Sequence, residues 1–222
     1  MSGLMRSLKY ETIRTGRVLG SALLASAAFA VYFALVSGER LTLMNLLGSL
    51  PGIMLFIGCL WFMIYGMVDM VTYTQLAISY GATRKHALIG KLYMNLLQTV
   101  GMVVCMYLVY VLTPAEWMPM EAVSACLLAQ NVYLIAGSLA LVSGMLVYRF
   151  GKVVYLVFTI LAAIFGGSLA GFDIHAGESG ILASIGAAIG NGFCVWDLAG
   201  IVLFLIISVI CWFFMRRIEV RV

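Results

Sequence analysis

The residues that could do chemistry are few and scattered. The two histidines, His86 and His175, fall on opposite sides of the topology developed below and cannot share a metal, and there is no HExxH pair. Ser138 and Ser143 lie in an apolar run with no histidine near them in sequence or depth, so no acyl-transfer triad is suggested. No Gly-rich loop is followed by Lys-Ser/Thr, so nothing here cradles nucleotide phosphates. The five cysteines have no metal-ligand spacing. Cys59, Cys105, Cys126 and Cys211 sit inside apolar runs and Cys194 near the end of one, which suits small packing residues. Asp173, His175 and Glu178 could hold a cation, but free surface residues describe them better. Asp69 and Asp173 stand at the ends of apolar runs, and no run has a carboxylate at its centre. That argues against a proton-coupled carrier and against an intramembrane aspartyl protease. The chain reads as no enzyme, and energy for any vectorial work has to come from another chain.

The elements that hold these residues are long and apolar. Of 222 residues 64% are hydrophobic, and the mean hydropathy is +1.10. Uncharged runs cover 18–38, 41–68, 92–115, 122–148, 153–172 and 198–215. A helix needs about 20 such residues to cross the hydrocarbon. The sequence therefore predicts a single all-α transmembrane domain over 1–222, a polytopic protein with six spans, with no room for a soluble catalytic or nucleotide-binding domain. Twelve of the thirteen Lys and Arg fall on one side of this arrangement, and only Arg40 on the other. The positive-inside rule puts both termini in the cytoplasm. The net charge of +4 is thus a topology signal, and nucleic acid is not expected as a partner.

Residues 1–17 form a basic cytosolic lead in which Leu4, Met5, Leu8 and Ile13 alternate with charge, as suits a helix lying on membrane lipid, with a plain solvated tail as the alternative. Pro51-Gly52 leaves two options for span two: a start near Pro51 after a short interfacial piece, or a start near Leu43 with a kink. The first is favoured because proline suits a first helical turn. Span four carries Gln130 and Asn131; amides in a membrane need partners, so both should face other helices, chiefly as packing glue. Ala136, Ala140 and Gly144 recur every four residues and mark a close-contact face. Arg149-Phe150-Gly151-Lys152 is a minimal inner turn. The outer segment 173–196 reads as short helices or a re-entrant element.

The most informative segment is 71–91, a cytosolic loop. Gly81 can end one helix, and Thr83 can cap the next. Leu88 and Ile89 make an apolar edge opposed by Arg84, Lys85 and Lys91, so a short amphipathic helix is expected. Asp69 could pair with one of those bases. The basic side suits anionic lipid or an acidic groove on a partner, and a separate ATPase docking here would supply the missing energy.

At this point the chain resembles a small bacterial permease subunit of the ABC-2 type exporter family. The likeness extends over the whole length: six spans, both ends inside, and a cytosolic segment between spans two and three with the stretch Gly81-Ala82-Thr83-Arg84-Lys85. The basic end Arg216-Arg217-Ile218-Glu219-Val220 is similar too. The resemblance implies a coupling helix within about 76–91, with Ser79, Tyr80, Gly81, Arg84, Lys85, His86 and Lys91 as partner-coupling residues. It implies an ATPase subunit dimer that binds ATP and Mg, no cofactor in this chain, and a second permease subunit, identical or not. It implies the bacterial cytoplasmic (inner) membrane. Cargo stays open. The rival expectation is a non-transport membrane assembly or sensor protein that binds a partner through the same loop.

Overall fold

The computed structural model describes residues 3–36, 42–79, 83–113, 122–151, 153, 156–157 and 195–217. The described regular structure is helical, in five helices: α1 (Gly3–Val36), α2 (Leu43–Ser79), α3 (Arg84–Leu112), α4 (Ala122–Phe150) and α5 (Val195–Arg217). The first four are long and apolar enough to cross a membrane, and Gly200–Phe214 of α5 is a shorter apolar stretch. By length and composition the chain is a multi-pass membrane protein. Apart from residues 153 and 156–157, the expected span over 153–172 and the outer segment up to residue 194 lie outside the described residues.

Local chemistry sets the helix ends. Thr42 accepts the Asn45 amide at 3.3 Å and starts α2. Thr83 accepts the His86 amide at 3.3 Å and starts α3, as the sequence predicts. Gly151 adopts φ +83°, which a side chain disfavours, and its amide reaches the Val147 carbonyl at 2.8 Å to close α4.

Three expectations are corrected. The lead 1–17 is not a separate surface helix, because α1 continues through it into the span without a break. Pro51 does not start span two. It sits buried inside α2, which begins eight residues earlier, in the arrangement the sequence left as second choice. A proline costs one helical hydrogen bond, and a membrane helix packed on its neighbours tolerates that. Finally, residues 71–79 are the last turns of α2 and residues 84–91 the first turns of α3, so only 80–83 lie between the two helices. The short amphipathic helix is the beginning of a long one. α2 is about 55 Å long and outreaches the ~30 Å hydrocarbon layer.

Side-chain contacts fix the helix directions. Along α1 and α3, Glu11 meets Lys91, Thr12 meets Tyr93 and Leu19 meets Gly101, so these two run parallel. α2 and α4 run the other way and parallel to each other: Met54 meets Tyr133, Gly66 meets Ala140 and Met70 meets Gly144. α5 runs with α4, since Gly200 meets Asn131 while Ile207 and Cys211 join Leu141 and Met145. The Glu11 end of α1, the Asp69 end of α2, the Lys91 end of α3 and the Trp212 end of α5 therefore lie at one end of the bundle. This is called the basic end below.

Membrane helices gain little from hiding apolar surface from lipid, so close backbone approach has to hold them together. The predicted face of Ala136, Ala140 and Gly144 does this: both alanines are buried, and a Cβ on Gly144 would sit 2.5 Å from that of Met70. In the middle of the bundle Phe62, Met102 and Tyr133 pack with Ala22 and Ala129. The Phe62 and Tyr133 rings are 5.1 Å apart, and the Tyr133 hydroxyl donates to the Met54 carbonyl at 2.9 Å.

Candidate functional site: a buried charge cluster at the basic end

Four ionisable side chains from three helices converge about two to three turns above the α2–α3 connection. α1 presents Glu11 and Arg14, three residues apart and so on one face of the helix. α2 presents Asp69, and α3 presents Lys91. The Lys91 Nζ donates to Glu11 Oε1 at 2.7 Å and also contacts Asp69 Oδ2. Arg14 Nη1 contacts Asp69 Oδ1. Glu11, Asp69 and Lys91 are each less than 5% exposed. Two acids and two bases leave the group neutral, and that is the condition under which charges persist away from water.

The cluster does one thing well. Lys91 spans α1 and α2, and Asp69 answers both α1 and α3, so the three helices are tied at one level. Breaking such a pair on one side costs about 3–5 kcal/mol, because the remaining charge stays buried without its partner. Just outside it, Thr12 and Tyr93 hydroxyls lie 3.3 Å apart and add a further α1–α3 link.

A polar layer continues from the cluster toward the middle of the bundle. Thr15 on α1, Asn95 and Gln98 on α3, and Ser138 on α4 are all buried. Asn95 lies against the backbone of Gly137, where any side chain at 137 would collide with it. Further along, the Asn131 side-chain oxygen accepts the Gly200 amide at 3.1 Å, which is the interhelical glue expected of it. Gln130 beside it is half-buried.

The other residues singled out in the sequence fall as follows. Ser79 closes α2 and Arg84 opens α3, while Tyr80 and Gly81 lie outside the described residues. Lys85 is exposed, with its Nζ 5.6 Å from the centre of the Trp212 ring on α5, within cation–π range. His86 is half-buried, and its backbone amide is taken by the Thr83 cap. Lys91 departs from its expected place: it points into the bundle and not toward a partner's surface. Ile89, expected on the apolar edge, is exposed, while Leu88 is buried with Met70 and Leu141. Asp69 does pair with a base of this segment, and that base is Lys91. Asp173, His175 and Glu178 lie outside the described residues, and among those described no three His, Cys, Asp or Glu gather as a metal site.

Sequence reasoning missed Glu11 and Arg14, which it assigned to a solvated or lipid-facing lead. The available signal was the continuation of the buried stripe Thr15, Val18, Ala22, Ser26 and Ala30 backward by one turn to Glu11.

The chain matches no protein-family profile, no curated protein and no solved structure.

Proposed function

We propose that this chain is the membrane-spanning permease subunit of an ATP-driven exporter of the ABC-2 type, with six spans and both ends in the cytoplasm. A separate ATPase would dock at the α2–α3 connection and supply ATP hydrolysis with Mg. A second permease subunit would complete the transporter in a bacterial inner membrane.

The observation that carries the reading is the position of the buried cluster. It lies about two to three helical turns behind the α2–α3 tip, where Arg84 opens α3 and Lys85 is exposed. A push on that tip would act on α1, α2 and α3 together, because Glu11, Arg14, Asp69 and Lys91 bind them at that level. A partner-driven transporter needs such a rigid connection between its docking tip and its spans. The six-span topology draws support from the helix ends. α4 finishes at the basic end, whereas α5 begins at the opposite end, so the chain between them has to return, and a span over 153–172 would do so.

The test is affinity purification in mild detergent with mass spectrometry of bound proteins, for the wild type and for an R84E/K85E variant. An ATPase recovered with the wild type and lost with the variant, at unchanged membrane insertion, supports the reading. Reproducible recovery of the intact permease with no ATPase refutes it and favours a membrane assembly or sensor protein.

A further inference from the structure

Besides Arg14 Nη1 and Asp69 Oδ1, which contact each other, five polar atoms in the basic half of the bundle are buried with no hydrogen-bond partner among the described residues: Glu11 Oε2, Thr15 Oγ1, Asn95 Nδ2, Gln98 Nε2 and Ser138 Oγ. They form a group. Thr15 is one helical turn beyond Glu11 on α1, and Asn95 and Gln98 are one and two turns beyond Lys91 on α3. Ser138 follows Gly137, against which Asn95 rests. Glu11 belongs to the charge cluster, and the other four lie between it and the Phe62–Tyr133 layer.

Hydroxyls elsewhere in the bundle behave differently. Ser26, Thr99, Ser143 and Ser208 each donate to a carbonyl of their own helix three or four residues back, at 2.6–3.0 Å. That local solution is open to any serine or threonine in a helix. Thr15 and Ser138 do not take it. Buried polar groups are almost always satisfied by protein or by water, and where they are neither, the packing around them is unfavourable. The Phe62–Tyr133–Met102 layer beyond is apolar, and its one hydroxyl is bonded.

We infer that α4 moves away from α3 on the basic side of this layer and admits water to Thr15, Asn95, Gln98 and Ser138, while the charge cluster keeps α1, α2 and α3 tied, with Phe62, Met102 and Tyr133 as the dry seal. The ligand of this site is water itself, and the described packing is the closed form. The inference concerns the interior of a single chain, and it stands or falls independently of the exporter reading.

Hydroxyl-radical labelling of the full-length protein in lipid nanodiscs tests it, with oxidation located by mass spectrometry. Two variants, Ser138→Cys and Thr15→Cys, each place a thiol in the polar layer. Native Cys211, fully buried among Met70, Leu141 and Ile207, is the dry reference in the same molecule. The introduced thiols are expected to oxidise severalfold faster than Cys211. Introduced thiols as protected as Cys211 would overturn the inference. Gel filtration and helix content establish that each variant is folded, and either folded variant decides. Should neither fold, the unmodified chain decides through Met94, beside Asn95, against Met106, beyond the seal: faster oxidation of Met94 supports the inference, and equal protection refutes it.

Discussion

Replacing Lys91 by methionine keeps most of the side-chain volume and removes one of two positive charges from a sealed group. The cluster then holds Glu11, Asp69 and Arg14, so its net charge goes from 0 to −1. Lys91 is only 3% exposed, and little solvent can enter to compensate. Truncating one member of a buried ion pair costs about 3–5 kcal/mol. For a chain of this size each kcal/mol lowers the unfolding temperature by roughly 2–4 °C, so a fall of ~6–20 °C is expected. The assay is thermal unfolding of the purified protein in a fixed detergent, followed by circular dichroism or by loss of the monodisperse gel-filtration peak. The double variant K91M/E11Q restores neutrality, leaving Arg14 with Asp69. It should recover at least about 1 kcal/mol relative to the sum of the single variants, since groups in direct contact couple by 0.5–3 kcal/mol as an order of magnitude. A Lys91→Met protein within about 0.5 kcal/mol of wild type, the range of an ordinary surface substitution, would refute the reasoning, as would strict additivity with Glu11→Gln. Either result would mean that the cluster is hydrated and does not tie the helices.

Three further outcomes follow from packing and hydrogen bonding. Gly144→Ala places a methyl 2.5 Å from the Met70 Cβ and 3.2 Å from the Met67 carbonyl, and should destabilise by about 1–3 kcal/mol in the same unfolding assay. Gly16→Ala, with open space around it, should be neutral or slightly stabilising through helix propensity, by up to about 1 kcal/mol. Tyr133→Phe keeps the ring against Phe62 but loses the bond to the Met54 carbonyl, so a loss of about 1 kcal/mol is expected, with helix content unchanged by circular dichroism.

Much of the frame was legible because membrane helices advertise themselves. Lipid demands long uncharged runs, and a backbone in hydrocarbon has to satisfy its own hydrogen bonds, so four runs could be read directly as spanning helices. Capping is equally local, and Thr83 announces the start of α3 without help from the rest of the fold. The fourfold spacing of Ala136, Ala140 and Gly144 also translated directly, because only small residues allow the approach that α2 and α4 make. Helix continuity was less legible. Pro51 is a breaker by its own chemistry, and what overrides it is packing along α2, which is invisible in a window of sequence.

Lys91 and Glu11 mark the boundary between the two kinds of knowledge. Eighty positions apart, each looks like an ordinary charge at the watery end of a helix, and hydropathy places both in solvent. The sequence by itself determined a multi-pass helical protein, the close face on α4, and the cap that starts α3. Only the tertiary structure decided that two such charges face inward, that Asp69 and Arg14 join them, and that Thr15, Asn95, Gln98 and Ser138 extend the polar layer behind. The physical reason is that a charge in isolation prefers water. Its burial becomes tolerable only when partners of opposite sign arrive from other helices at the same height, and that depends on packing.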